Sequence, residues 1–186
     1  MKIFIKNMVC GRCIAAVSNI FDEVNIEVKN ISLGEVETTS DISEKELQKL
    51  ENLLEGTGFE RIKDSSLQLI EKIKNLIILK ISELDIAENF LLSDFLRTEL
   101  HKDYSAISKT FSQNENLTVE QFFILQKIEK VKELLLYNEF TLTEIAGKLG
   151  YKSVQHLSSQ FRNVTGFTPT GFRKLKVHNR KSLDQI

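Results

Sequence analysis

The first 64 residues combine two spacings of apolar positions, so they predict a unit of both strands and helices. Ile3 and Ile5 alternate with other residues and predict a strand. Ile14, Val17 and Phe21 recur three and four positions apart, which is typical of a helix with one buried face. Continued through the segment, the same patterns predict strands at 2–7, 26–31, 35–39 and 59–63, and helices at 13–24 and 43–56. The expected order is therefore βαββαβ.

The rest of the chain has helical spacing only. Residues 65–84 predict one helix whose apolar surface is too broad for an exposed linker, and we expect it to pack on the C-terminal domain or on a second copy of itself. A short polar joint at 85–89 follows, and a long helix is predicted at 118–137. The fold class is α+β: a βαββαβ, ferredoxin-like domain joined by a helix to an all-α domain.

The all-α part contains a repeat with a period of 50 residues and no gap. A period that keeps its apolar positions indicates one supersecondary unit used twice. Each copy predicts helix, tight turn, helix, at 92–113 and 142–164, a motif that places a helix in a DNA groove. Leu92, Lys102, Ser108, Phe111, Thr118 and Phe122 recur as Leu142, Lys152, Ser158, Phe161, Thr168 and Phe172.

The second copy shows the clearer local signals. Thr141 and Glu144 have capping-box spacing, and Gly150 can end the first helix. The second helix should run from about Ser153 to Val164. Gln and Arg side chains can make paired contacts to adenine and guanine edges, whereas Ser and Lys side chains more often hold phosphates. The predicted polar face comprises Gln155, His156, Ser158, Ser159 and Arg162, with Lys152 in the turn before it.

The first copy lacks a glycine in its turn and is weaker. Ser93 is expected near the cap of its first helix. Its recognition helix, predicted at 104–113, presents Ser105, Ala106, Ser108, Lys109 and Ser112 as DNA-binding candidates. The alternative is that this copy mainly supports the second.

The N-terminal half of the chain is acidic and its C-terminal end is basic. Residues 1–89 hold 11 Lys and Arg against 16 Asp and Glu, whereas residues 140–186 hold 8 against 2. Residues 90–139 hold 6 against 8, so the second copy should supply more of the attraction to phosphate. The basic C-terminal end, with a tail at 177–186, agrees with a nucleic-acid surface.

Several other functions are not expected. No apolar run reaches membrane-spanning length, and the N-terminus does not resemble a signal peptide, so we expect a cytoplasmic protein. No nucleophile–base pair, phosphate-cradling glycine loop or carboxylate dyad is apparent, so we do not expect an enzyme. The three histidines, at 101, 156 and 178, do not have metal-ligand spacing.

Residues 90–176 resemble the AraC/XylS family of transcription regulators. The resemblance implies two recognition helices in successive major grooves, with Val154, Gln155, Ser158, Ser159 and Arg162 facing DNA. Val154 stands where a polar side chain is common, which suggests contact with a thymine methyl group. The signature consists of Thr143-Glu144-Ile145-Ala146, Leu149-Gly150-Tyr151, Ser153, Leu157-Ser158, Phe161-Arg162, Thr165 to Pro169, and Phe172-Arg173.

Residues 1–64 resemble the heavy-metal-associated domain, because Met8 to Cys13 forms a Met-x-Cys-x-x-Cys loop between the first strand and the first helix. Two thiolates at this spacing can reach one soft ion, and Cu(I) accepts two sulfur ligands. The resemblance implies a site at Cys10 and Cys13. Asn7 stands where that family usually has glycine, and Gly11 and Arg12 are not typical of its copper carriers.

Together these features predict a cytoplasmic, DNA-binding transcription regulator that responds to a soft metal such as Cu(I). The expected partners are promoter DNA and, as one option, a second copy of the chain. Three alternatives stay open: a cytosolic metal carrier, a regulator switched by thiol oxidation, and an N-terminal domain that carries dimer contacts while its cysteines are unused. The proposed domains are 1–64, a connecting segment at 65–89, and the DNA-binding domain at 90–176.

Overall fold

The structure is a computed structural model that describes residues 1–175 and residue 183. The chain divides into two compact units, Met1–Asn75 and Leu76–Ile186. The predicted basic tail, with His178, lies outside the described residues except for Leu183. No helix in the described part of the chain is both long and apolar enough to cross a membrane.

The first unit has the predicted order of strands and helices. Its elements are β1 (Lys2–Lys6), α1 (Gly11–Glu23), β2 (Val28–Ser32), β3 (Glu35–Thr38), α2 (Glu44–Gly56) and β4 (Glu60–Ile62), followed by the start of α3 (Ser65–Ser82). The sheet order is β2-β3-β1-β4 and every neighbouring pair is antiparallel. Helix α1 begins two residues earlier than predicted, directly after Cys10.

Alternation along β1 separates the two faces of this sheet. Ile3 and Ile5 are fully buried in a core to which α1 and α2 contribute Val17, Phe21, Leu50 and Leu54. Phe4 points to the opposite face. The α3 residue Lys72 lies there, with its Nζ atom 4.8 Å from the Phe4 ring centre and 3.3 Å from a Glu35 carboxylate oxygen.

The first half of α3 therefore belongs to the first unit. The unit continues to Asn75, whereas the sequence placed the end of the domain near Asp64. Asn75 packs so closely on Gly34 that a Cβ atom there would stand 2.4 Å from its Nδ2 atom. These contacts join residues that are distant in sequence, which explains why periodicity alone placed the boundary earlier.

The second unit is helical over its described residues. After the end of α3 it contains α4 (Leu92–Leu100), α5 (Tyr104–Asn114), α6 (Val119–Tyr137), α7 (Leu142–Lys148), α8 (Val154–Thr165) and α9 (Pro169–Arg173). Helix α9 had no separate prediction. Leu91 is the residue before α4, and its side chain makes no capping hydrogen bond; Ser93 lies near this cap, in the first turn of the helix, as expected.

The 50-residue repeat is retained in the structure. Helices α4, α5 and α6 begin 50 residues before α7, α8 and α9, respectively. Phe111 packs on Phe122 with 5.7 Å between ring centres, and the matching pair Phe161 and Phe172 lies 5.5 Å apart. Both copies therefore build their core from the same positions.

Candidate nucleic-acid interface and cysteine pair

Helix α8 begins and ends where its local sequence predicts. The Ser153 side chain accepts a hydrogen bond from the backbone N–H of His156 at 3.1 Å. Gly166 ends the helix in the left-handed region at φ +80°. Leu157 and Phe161 are fully buried, so the opposite side of the helix faces away from the core.

That opposite side carries the residues singled out as DNA contacts. Gln155, Ser159 and Arg162 are exposed, while Val154 and Ser158 are half-buried at its edges. No ion pair within the described residues involves Arg162, so its guanidinium donors stay available. Lys152, in the turn before α8, is also exposed. The face can therefore offer both base-contacting and phosphate-contacting groups.

Helix α5 is the corresponding element of the first copy. His101 takes the left-handed conformation before it, at φ +49°, and so performs the role of the missing turn glycine. Ile107 and Phe111 are buried, as their counterparts are in α8. Among the candidate contacts, Ser105, Ala106 and Lys109 are exposed and Ser108 is half-buried; Ser112 is exposed as well.

Acidic groups lie beside the first turn of α5. Asp103 immediately precedes the helix, and the Tyr104 hydroxyl donates a hydrogen bond to the Glu120 carboxylate. Burial and this bond raise the pKa of Tyr104. Burial of Glu120 works to raise its pKa, but the bond from Tyr104 outweighs this and holds the pKa below its usual value. The nearby negative charge makes this copy a weaker attractor of phosphate than the second.

The segment predicted as a polar joint is in fact packed against the second copy. The Ile86 N–H donates to the Lys148 carbonyl oxygen at 3.0 Å, and Ile86 forms an isolated parallel bridge with Leu149. Gly150, at φ +68°, lies so close that a Cβ atom there would stand 2.7 Å from Ile86 Cγ2. Ile86, the one large apolar side chain between residues 85 and 89, was the sequence signal of this contact.

A buried lysine is the residue that sequence reasoning missed in this unit. Lys127 of α6 is 7% exposed, and its Nζ atom lies 3.8 Å from the Tyr151 ring centre. Burial lowers the pKa of Lys127 to about 8. Tyr151 in turn contacts the His156 ring edge to face and donates a hydrogen bond to Gln160 at 2.7 Å. Polar spacing along α6 gave no sign that this lysine is buried.

The two cysteines lie together at the start of α1. Cys10 is exposed and Cys13 half-buried, with 3.5 Å between their sulfur atoms. Burial works to raise the pKa of Cys10. Hydrogen bonds from the N–H and Sγ of Cys13 and the N–H of Arg12, together with the Arg12 charge, outweigh it and lower that pKa. The pair is thus suited to thiolate chemistry.

The surroundings limit what this pair can hold. Met8 is fully buried in the core, so its sulfur does not join the two thiols at the surface. No group of three or more His, Cys, Asp or Glu residues with metal-binding geometry occurs among the described residues. Asn7 adopts φ +70° and its Nδ2 atom donates to the Gly58 carbonyl at 2.9 Å, so it performs locally what a glycine would.

Comparisons with known proteins concern the helical unit. A family model described as a helix-turn-helix domain matches residues 96–175. The HTH-type transcriptional activator RhaR of Mannheimia succiniciproducens is 28% identical over 88 residues, which are 47% of this chain and 32% of that protein. The xylose operon regulatory protein of Haemophilus influenzae is 31% identical over 74 residues, 40% of this chain and 19% of that protein.

A solved structure shares the fold. The C-terminal domain of AraT, a response regulator from Geobacillus stearothermophilus, superposes with a TM-score of 0.51 at 18% identity, over 61% of this chain and 90% of that chain. This chain spans about a third and a fifth of the length of the two curated relatives.

The repeated helices, their exposed polar faces and the matched family model define a double helix-turn-helix domain. The two curated relatives of this domain are named as a transcriptional activator and an operon regulatory protein. As predicted from the sequence, the relatives that this helical unit matches are named as regulators. Residues 1–95 lie outside the matched model.

Proposed function

We propose that this chain is a transcription regulator that binds promoter DNA through α5 and α8. The observation that carries the proposal is the repeat itself: two helices with the same buried positions each leave a polar face exposed. Such helices enter the major groove and contact base edges. The match of residues 96–175 to a helix-turn-helix model and the similarity to a named transcriptional activator support this proposal. A role on promoter DNA would place the chain in the cytoplasm, as expected from the sequence.

The second copy should carry most of the specificity. Gln155 and Arg162 are exposed on α8, and each can make two hydrogen bonds to one base. Helix α5 offers short hydroxyl side chains and Lys109, with acidic groups close by. We therefore expect the second copy to distinguish base sequences and the first copy to add mainly non-specific contacts.

The direct test is selection of DNA by the full chain. Random duplexes of about 40 base pairs, long enough for two half-sites one helical turn apart, are bound to the immobilised protein and sequenced. We expect a common motif to be enriched. Enrichment that is no greater than with a Gln155→Ala/Arg162→Ala double variant would refute sequence-specific binding by α8.

We further propose that the first unit, which we assign to the ferredoxin-like class, binds a soft metal ion at Cys10 and Cys13. Its antiparallel sheet order and its βαββαβ sequence support the class. Two metal–sulfur bonds of about 2.3 Å, the length found for zinc, place the two sulfur atoms at most about 4.6 Å apart. The observed distance of 3.5 Å between the Sγ atoms of Cys10 and Cys13 therefore needs only a small side-chain adjustment to hold an ion. A site with two sulfur ligands favours Cu(I) over ions that need four ligands.

An anaerobic titration tests this site. The reduced full chain competes with a chromogenic Cu(I) chelator, beside Cys10→Ser and the control Ala15→Ser, which changes an exposed position on the same helix. We expect one tightly bound ion in the native chain and in the control, and none in Cys10→Ser. Equal behaviour of all three proteins would exclude a site at the cysteine pair.

A thiol switch is the second candidate, because the same 3.5 Å separation and lowered Cys10 pKa also favour disulfide formation. With oxidised glutathione, the two thiols would lose two electrons and two protons, one disulfide would form, and two glutathione thiols would be released. DNA binding that changes with this oxidant and not with Cu(I) would favour the switch. A metal carrier would transfer Cu(I) to a partner and show no enrichment of DNA.

A further inference from the structure

A column of aromatic rings around one buried ammonium group links the two helix-turn-helix copies. Phe90 lies 5.6 Å from Phe95 of α4 and 5.9 Å from Phe123 of α6, measured between ring centres. The Lys127 Nζ atom is 5.3 Å from the Phe123 ring and 3.8 Å from the Tyr151 ring. Tyr151 then contacts His156 in the first turn of α8, at 5.3 Å. The column thus runs from Phe95 to His156.

Packing alone does not require a charged side chain at the centre of this column. A methionine would occupy a similar volume without the free-energy cost of desolvating a charge. Within the described residues no ion pair involves Lys127, and burial is the one cause of its lowered pKa. The ring faces of Tyr151 and Phe123 are therefore its main electrostatic partners. Phe123 lies on α6 together with Lys127, so it is the Tyr151 contact that constrains the distance between α6 and the turn before α8.

The column joins the two copies asymmetrically. In the first copy, the positions that match Tyr151 and His156 hold His101 and Ala106, which make no such stack among the described residues. The first copy is attached through Phe95 instead. Helix α8 is therefore held from α6 by contacts that α5 does not have.

We propose that this column sets the orientation of α8 relative to α4 and α5, with Lys127 as a positioning residue, and thereby fixes the half-site spacing that the two copies accept on DNA. The inference rests on the proposed DNA-binding function. Two helices in successive grooves must keep a fixed separation to contact both half-sites at once. A column that links the copies through α6 can supply that rigidity, and its polar centre makes the geometry more specific than an apolar contact would.

The test compares half-site spacing among variants of the full chain. Each variant is used to select from the same random duplexes, and the spacing between the two enriched half-motifs is tabulated. For the native chain we expect one dominant spacing. For Lys127→Met we expect the same half-motifs, with the preference for that spacing reduced roughly tenfold, the scale of one desolvated cation–π contact.

The controls separate positioning from general destabilisation. Lys127→Arg keeps the cation and should restore the native spacing. Lys130→Met changes a neighbouring α6 lysine that pairs with Glu133 at 2.7 Å, and should leave the spacing unchanged. Phe90→Leu weakens the opposite end of the column, so it should also broaden the distribution of half-site spacings. This variant provides the test if Lys127→Met does not fold.

The outcomes are distinct. A single native spacing in both Lys127→Met and Phe90→Leu would overturn the proposal, as would a native motif with only one half-site. Failure of the native chain to enrich any motif would instead refute the proposed function on which the inference rests.

Discussion

Burial of Lys127 lowers the stability of the second unit, although we propose that the same residue positions α8. Its ammonium group is buried against aromatic rings, and burial lowers its pKa to about 8. In the unfolded chain a lysine keeps its proton up to a pH of about 10.4. Between these values the unfolded state binds more protons than the native state, so stability should rise with pH through this window.

The variant Lys127→Met should remove that rise. At pH 7 we expect its free energy of unfolding to be about 1 kcal/mol higher, because the lost desolvation cost exceeds the lost cation–π contact. All three tyrosines (Tyr104, Tyr137 and Tyr151) lie in the second unit and the chain has no tryptophan, so tyrosine fluorescence follows this unit alone. Urea unfolding at pH values from 7 to 9.5 measures the effect. If the free energy of unfolding of Lys127→Met rose with pH as steeply as that of Lys130→Met, this prediction would be contradicted.

Arg162 is the residue most suited to base recognition on α8. Replacement by Ala should cost roughly 1–3 kcal/mol of binding free energy and relax specificity at one base position. Lys152→Ala should weaken binding almost equally on all sequences and reduce the salt slope by about one. Binding curves on the selected duplex and its single-base variants measure both. Uniform weakening in Arg162→Ala would make Arg162 a phosphate contact.

At the scale of elements, helix boundaries follow local side chains, while their mutual packing depends on close approaches. Thr141 forms the predicted capping box before α7, and Thr118 forms another before α6. The turn after α7 is different, because Gly150 must approach the segment that leads into α4. A Cβ atom there would lie 2.9 Å from the Ala87 carbonyl oxygen.

Gly150→Ala should therefore destabilise the second unit by about 2 kcal/mol or more, through both the positive φ and the steric clash. Two glycines provide matched controls. Gly166 has φ +80° in open space, so its replacement by Ala should cost only about 1 kcal/mol. Gly147 has no atom within 4 Å of an added Cβ and lies in α7, so Ala should stabilise that helix. Urea unfolding followed by tyrosine fluorescence ranks the three, and equal effects would contradict the close approach at Gly150.

At the scale of the whole molecule, charge and chemistry are divided between the two units. The N-terminal half is acidic and carries both cysteines, whereas residues 140–186 are basic and contain α8. A regulator built this way responds to an ion only if the ion has different affinities for the DNA-binding and non-binding states.

Cu(I) should therefore change the affinity of the full chain for its selected duplex, by roughly 5- to 150-fold if the coupling has the usual size. The change should vanish in Cys10→Ser and persist in Ala15→Ser. Anaerobic fluorescence anisotropy with and without Cu(I) measures it. A metal effect of equal size in Cys10→Ser would show that the response does not arise at the cysteine pair.

Much of the architecture could be predicted from particular residues. Alternation of Ile3 and Ile5 predicted β1, and the match of Phe111 with Phe161 predicted a repeat whose cores are alike. The exposed set on α8 followed from the burial of Leu157 and Phe161 one turn apart. Its role in binding DNA stays a prediction. Helix α4 begins at Leu92 with Ser93 in its first turn, as its sequence predicted.

By itself, the sequence determined the order of elements, the helix-turn-helix repeat, the exposed face of α8 and the proximity of Cys10 and Cys13. Each of these is encoded by residues that lie close together in the sequence of one element or one helix-turn-helix copy. The tertiary structure alone decided that Lys127 is buried between rings, that Ile86 packs on the Gly150 turn, and that Lys72 covers Phe4. Each of these contacts joins residues far apart in sequence. Periodicity describes which face of an element is apolar, but packing decides what that face meets.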